Sequence, residues 1–302
     1  MKILITGSKG LIGSALKTKL LSLGMEIIGI DPKAHISDVD YGDILDGVSL
    51  HSRIKGVHGV IHLGAVSRVI DGEKNRDLCW RFNVEGTKQV LKAASLEPSS
   101  PWVIYASSRE VYGEPHICPV RDDTPLKPVN IYGESKKAAE DLIQEASQSG
   151  LTTSIIRFSN VFGSVHDHPN RVIPAFCRAS ATGAPIYIEG SHNVFDFTYL
   201  DDVIQGILRV IFLLSTEKQS LPSLHLTTGR GMSLGEVAEI AKKESFYDIT
   251  LEERPSRSFD VARFWGDPAL AYELLGWRAS TTVEEGMKRL IQEYRLHLGS
   301  FP

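Results

Sequence analysis

Tyr132 and Lys136 stand four residues apart in Ile131-Tyr-Gly-Glu-Ser-Lys136. On a helix that spacing puts both side chains on one face, so the ammonium lies near the phenol oxygen and favours its phenolate form. A tyrosine so placed can act as a base. An unperturbed phenol titrates near pH ~10, so a base working near neutrality needs its phenolate stabilised by roughly 4 kcal/mol. A neighbouring lysine and a cationic nicotinamide ring together supply that, which points to redox chemistry on a bound nicotinamide. Taken alone, the same spacing also fits a solvated surface helix.

The amino terminus adds the second half of the argument. Lys2-Ile-Leu-Ile-Thr6 is a short β-branched run, followed by Gly7-Ser-Lys-Gly-Leu-Ile-Gly13 and then a helical pattern through Ile12, Leu16, Leu20 and Leu23. Strand, glycine turn and helix in this order cradle a dinucleotide. Gly7 permits the tight turn, Gly10 lets backbone approach a pyrophosphate, and Gly13 lets helix and strand pack closely, while the helix N-terminus at Leu11 and Ile12 attracts the anion. The next strand, Glu26-Ile-Ile-Gly-Ile30, ends at Asp31, where a carboxylate accepts hydrogen bonds from an adenosine ribose. That favours NAD over NADP, although Lys33 nearby leaves NADP open.

With these parts in view the chain resembles the extended short-chain dehydrogenase/reductases, within them the NAD-dependent epimerase/dehydratase family that modifies nucleotide sugars. Besides the two motifs above, the resemblance rests on Gly42-Asp-Ile-Leu-Asp46, Val60-Ile-His-Leu-Gly-Ala65, Asn83-Val-Glu-Gly-Thr87 and Tyr105-Ala-Ser-Ser-Arg-Glu-Val-Tyr-Gly113. Arg157-Phe-Ser-Asn-Val-Phe-Gly163 and Leu275-Gly-Trp277 extend it over nearly the whole chain. It implies that Tyr132 takes the proton from a sugar hydroxyl while Lys136 holds the nicotinamide ribose and tunes Tyr132. Ser108 would hydrogen-bond the oxygen that becomes a ketone. Asp43 and Ile44 match positions near the adenine, Leu63, Gly64 and Ala65 line the phosphate and ribose path, and Asn83 braces the cofactor region. Asn160 and Arg257 match positions that hold the substrate's diphosphate, a task suited to the planar donors of arginine.

Two departures bear on the reaction. Phe195, in Asn193-Val-Phe-Asp-Phe197, replaces an arginine that in relatives contacts the diphosphate, with Arg257 or Arg263 able to compensate. Beside Ser108 stands the pair Arg109-Glu110. Glu110 matches the family's C5 base, but Arg109 occupies the place of the dehydratase acid and cannot readily donate a proton. Two readings of Glu110 stay open: a catalytic base, or half of a local ion pair shaping its loop. The resemblance therefore implies a nucleotide-sugar 4-epimerase. A dehydratase or decarboxylase using Glu110 is the first alternative, and a non-catalytic NAD-binding regulatory protein the second.

Composition bounds the rest. The chain has 302 residues, 42% hydrophobic content and a formal charge of −4, enough to bury a large core and without a basic stripe for nucleic acid. Cys79, Cys118 and Cys177 lie far apart without metal spacing, His166 and His168 read as a surface loop, and His62 as a satisfied core histidine. No metal is expected. The first strand begins at residue 2 and the apolar stretch near Val203 to Leu214 is too short to span a bilayer, so a cytoplasmic location without membrane attachment is expected.

The elements that must position these residues alternate. Strands are expected near 2–6, 26–30, 59–64, 102–107 and 153–158, with helices near 12–23, 75–96 and 132–149. That pattern predicts an α/β fold, a Rossmann-type doubly wound parallel sheet with a smaller, interleaved C-terminal substrate-binding lobe. The NAD-binding domain is expected over 1–163 plus about 195–228, and the substrate lobe over about 164–194 plus 229–302, with a helix near 171–182. The family resemblance implies a homodimer through helices at about 83–97 and 132–149.

Overall fold

The computed structural model describes residues 1–255 and 261–299. The chain forms two compact units, the first built from Met1–Gly113, Thr124–Phe158 and Gly206–Leu224, the second from Glu114–Asp123, Ser159–Gln205 and the described residues from His225 onward.

The first unit runs β1 (Lys2–Thr6), α1 (Leu11–Ser22), β2 (Glu26–Ile30), α2 (Gly47–Ile54), β3 (Gly59–His62), α3 (Val69–Lys74) and α4 (Arg76–Trp80). A π-helical turn over Arg81–Glu85 follows, then α5 (Gly86–Leu96), β4 (Trp102–Ser108), a 3-10 turn over Arg109–Tyr112, α6 (Ile131–Gln148) and β5 (Thr153–Phe158). β2, β1, β3, β4 and β5 lie side by side and all pair in parallel. β3, β4 and β5 are buried at every position, as strands covered on both faces must be. The chain crosses from β2 to β3 on the other side of β1, so the sheet reverses direction between β1 and β3, the point at which such sheets hold ligands. Leu4, Val60, Val90, Val103, Ala139 and Ile143 belong to one apolar core on which α2, α5 and α6 pack. Each such aliphatic side chain contributes roughly 1.5–3 kcal/mol by leaving water.

α6 shows why one helix carries so much of the site. Asn130 caps it, its Oδ1 accepting the Gly133 amide at 2.8 Å. Its buried face has two ridges four residues in period, Ile131-Ser135-Ala139-Ile143 and Tyr132-Lys136-Glu140. The first is mostly apolar; the second is polar and titratable throughout.

The second unit contains β6 (Asn160–Phe162), α7 (Val172–Thr182), β7 (Ile186–Glu189), β8 (Val194–Phe195) and β9 (Phe197–Tyr199). α8 (Leu200–Glu217) then leads the chain back, and β10 (Leu224–His225) adds a sixth strand beside β5. β11 (Met232–Ser233), α9 (Leu234–Lys243), β12 (Leu251–Arg254), β13 (Arg263–Phe264), α10 (Ala269–Leu275) and α11 (Val283–Leu298) complete it. β8 sits between β11 and β13, β7 pairs with β12, and β6 with β9. Two buried aspartates organise this unit. Asp196 accepts the amides of Thr228 and Gly229 and the hydroxyls of Thr228 and Thr198. Asp202 accepts Ser280 Oγ at 2.7 Å and the Thr281 amide at 2.9 Å, while its carbonyl takes the indole of Trp277 at 2.8 Å.

The structure departs from the sequence expectation over 75–96. The single helix expected over 75–96 is broken by the π-helical turn, which widens the helix by one residue at Asn83 and Val84 and buries both. α3 and the 3-10 turn were not anticipated. Among the described residues no helix is long and apolar enough to cross a membrane.

Candidate active site

The carboxyl ends of β1 and β3 meet at the glycine turn. Gly7 has φ +72°, and a Cβ there would lie 2.8 Å from the amide nitrogen of Gly64, so only glycine lets the two loops close on each other. A Cβ on Gly13 would strike the carbonyl oxygen of Gly7. α1 begins at Leu11 after Gly10, with no side-chain cap and no acidic residue in its first turn, which leaves the positive end of the helix to an anion. Asp31 is buried and its two oxygens accept the backbone amides of Lys9 at 2.9 Å and Lys33 at 2.8 Å. A carboxylate has about four acceptor positions, so two remain for ribose hydroxyls. Asp40 holds the turn from below through Ser8 Oγ at 3.0 Å, a role no sequence motif signals. Asp43 closes its own turn on the Leu45 amide at 2.9 Å, and Ile44 is a core residue. These features fit a dinucleotide: a bare helix terminus for its phosphates and a part-used carboxylate for its ribose.

Asn83 is fully engaged within the protein. Its Oδ1 accepts the Val66 amide at 2.8 Å, and its Nδ2 donates to Val66 O at 3.1 Å and to Ser135 Oγ at 2.8 Å. It ties the loop after β3, which begins with Leu63, Gly64 and Ala65, to the helix that carries Tyr132. A second buried chain runs beside it, and its polarity can be assigned. Gly64 N–H donates to Thr6 Oγ1 at 3.0 Å, and Thr87 Oγ1 donates to the Asn83 carbonyl at 2.6 Å. Thr87 therefore accepts from His62 Nε2–H at 2.9 Å, and Thr6 donates to His62 Nδ1 at 2.7 Å. The neutral histidine this requires is what burial enforces: its pKa falls to about 3, with the Lys136 charge adding to the effect.

Ser108, Tyr132 and Lys136 are all buried in the first unit, on β4 and α6. Lys136 donates from Nζ to the Ala106 carbonyl at 2.7 Å, and the ammonium stands 4.8 Å from the ring of Tyr105 and 6.0 Å from that of Tyr132. Burial lowers its pKa to about 8, while the Glu140 carboxylate, and Cys79 in its thiolate form, act in the other direction. Ser108 caps the following 3-10 turn, its Oγ accepting the Glu110 amide at 3.3 Å. In that turn Arg109 Nη2 meets Glu110 Oε1 at 2.9 Å, and Glu110 Oε2 accepts Asn130 Nδ2 at 2.9 Å. The Arg109-Glu110 ion pair is thus present, and Glu110 is anchored to the residue that caps α6.

Asn160 belongs to the second unit, where its Nδ2 reaches the Asp196 carbonyl at 3.4 Å. Phe195 is buried, edge-on to Phe197 with ring centroids 6.4 Å apart, so this position serves packing. Arg257 lies outside the described residues. His166 packs its ring against His297 at 5.8 Å, and among the described residues no three His, Cys, Asp or Glu side chains gather as a metal site.

A parallel sheet with its switch point at a glycine turn, and a tyrosine-lysine helix beside a strand-end serine, define a Rossmann-type dinucleotide enzyme of the short-chain dehydrogenase/reductase kind. The profile of the NAD dependent epimerase/dehydratase family matches residues 3–219, and the chain belongs to that family. It is 28% identical over 309 residues to the UDP-glucose 4-epimerase of Lactobacillus helveticus, covering 92% of each chain. Its fold superposes on UDP-glucose 4-epimerase of Thermotoga maritima, solved with UDP-glucose, with a TM-score of 0.90 at 25% identity, covering 99% of this chain and 100% of that one. MoeE5 in complex with UDP-glucose and NAD gives 0.88 at 27% identity, covering 99% of this chain and 100% of that one.

Proposed function

We propose that this protein is a nucleotide-sugar 4-epimerase that works with a bound NAD on a UDP-linked hexose, pentose or uronic acid. The observation that carries the choice is the state of Glu110. Both of its oxygens are held, one by Arg109 and one by Asn130, in a turn where Arg109 rather than an acid stands beside it. A base that must leave an ion pair and a hydrogen bond before touching C5 is poorly placed for elimination. Oxidation at C4 followed by reduction there needs neither C5 base nor acid.

NAD would be held by the Gly7–Gly13 turn, Asp31 and the loop from Leu63 to Ala65, and it supplies a reversible hydride acceptor. The rest is done by protein groups. Tyr132, as the phenolate, accepts the proton of the C4 hydroxyl, and Ser108 donates a hydrogen bond to the same oxygen as it becomes a carbonyl. Lys136 stabilises the phenolate as an ammonium. The keto-sugar turns over, and Tyr132 returns the proton as the opposite face is reduced. Because the ammonium is lost as pH passes about 8, turnover falls on the alkaline side there.

The family pattern supports a homodimer through α5 and α6, which would cover the exposed apolar side chains of Leu78, Trp80 and Leu96 on and beside these helices. A cytoplasmic location is part of the same proposal. Incubation with a panel of UDP-, GDP-, dTDP- and CDP-sugars, with products weighed by mass spectrometry, tests the assignment. An isomer of unchanged mass is expected; loss of water or carbon dioxide would replace epimerisation by dehydration or decarboxylation.

A further inference from the structure

Four elements of the first unit converge on one buried ion pair that the proposed chemistry does not use. Glu140 lies one helical turn beyond Lys136 and is fully buried. Its Oε1 accepts Ser107 Oγ at 2.5 Å and Arg157 Nε at 2.9 Å, and its Oε2 accepts Arg157 Nη2 at 2.7 Å. Arg157, on β5 opposite Ser107 in the sheet register, donates from Nη1 to Tyr112 OH at 2.6 Å. Ser107 immediately precedes Ser108, Tyr112 ends the turn that holds Arg109 and Glu110, and α6 carries Tyr132 and Lys136.

We propose that the Glu140–Arg157 pair is the positioning centre of the reaction, fixing Ser108 on β4 against Tyr132 and Lys136 on α6 and holding a balanced charge behind the lysine. The proposal rests on the roles given above to Ser108, Tyr132 and Lys136. A buried ion pair adds little net stability over apolar side chains of the same volume. What it adds here is direction. A forked arginine bonded to a carboxylate, itself bonded to a strand-end serine, leaves each element one register relative to the others.

The charge has a separate consequence. The groups facing Lys136 are Tyr132 and Glu140 from α6, Tyr105 from β4, His62 from β3 and Cys79 from α4. Burial keeps Tyr105, His62 and Cys79 neutral, which leaves Glu140 as the carboxylate that supports the ammonium.

The test compares Glu140→Gln, Arg157→Lys and the double variant Glu140→Gln/Arg157→Gln in the NAD-loaded enzyme. Glu140→Gln is expected to lower kcat about tenfold or more with KM changed less than about threefold, and to move the alkaline limb of kcat down by about one pH unit. Arg157→Lys keeps the charge but loses the fork and the Tyr112 bond, so kcat falls while the limb stays in place. A folded Glu140→Gln with wild-type kcat and limb overturns the proposal. Should that variant not fold, the double variant, a neutral pair of similar volume, is expected to fold with reduced kcat, and wild-type kcat there overturns it equally. If the wild-type enzyme epimerises no nucleotide sugar, the functional reading fails but this one is still tested. The tyrosinate absorbance band that Tyr132→Phe removes, followed against pH without sugar, is expected to appear at lower pH in Glu140→Gln, and an unmoved band contradicts the proposal.

Discussion

Two buried cations of the first unit, Lys136 and Arg157, are provided for in opposite ways. Arg157 donates to both Glu140 oxygens and to Tyr112, and its neighbours push its pKa up. Lys136 is as deeply buried, yet among the described residues its ammonium makes one hydrogen bond, to a neutral carbonyl, and its pKa falls to about 8. A saturated ion pair holds geometry and resists change, whereas an ammonium with two donors to spare waits for something outside the protein. On the proposed roles, the difference separates a group that positions from a group that acts.

Replacement of the acting group should be the most damaging to turnover and the least to the fold. Lys136→Met is expected to lower kcat by about 10²–10⁴, judged by product formation, while its thermal melt is unchanged or raised. The sign follows from the lowered pKa: between about 8 and the ordinary value the folded state binds fewer protons than the unfolded one, so this group's contribution to stability improves as pH rises through that window. A large loss of stability in Lys136→Met would erase the contrast. For the positioning pair the reverse holds. Arg157→Ala strands Glu140 in the core and should cost about 3–5 kcal/mol in denaturant unfolding.

Asp196 offers an intermediate case in the second unit. Its four hydrogen-bond donors do not fully offset burial, which raises its pKa to about 6. The folded state therefore holds a proton that the unfolded state releases, and stability falls as pH rises from about 4 through about 6, by on the order of 3 kcal/mol. Asp196→Asn should remove that slope, read from unfolding curves across the window; a persistent slope would assign it elsewhere. The smallest effect is expected at Glu110. Glu110→Gln keeps an acceptor for Arg109 and should lower epimerisation only about three- to tenfold, whereas a base in the reaction would lose far more.

The sheet, the glycine turn and the tyrosine-lysine helix were legible because each rests on local periodicity: two in β1, four in α6. Asp31 was legible for the same reason, as the residue ending a short apolar strand. What escaped depends on partners distant in sequence. Arg157 sits inside the apolar run Thr153–Phe158, and a charge there signals a buried counter-ion without saying which carboxylate supplies it. The turn at Arg81–Glu85 escaped because a π-helical insertion leaves the apolar pattern nearly unchanged while re-aiming Asn83 toward Val66 and Ser135. The Arg109-Glu110 pair could be foreseen as neighbours, but its third member, Asn130, is twenty residues away and no local pattern links it to Glu110.

In the proposed reaction C4 is oxidised and reduced while C5 is left alone, because Glu110 is held by Arg109 and Asn130. Turnover of the preferred UDP-sugar in deuterium oxide, with the product examined by proton NMR, tests it most directly. The account predicts an epimerised product with no deuterium on any carbon. Deuterium at C5 would show that a base, with Glu110 the first candidate, removes that proton, and would contradict it.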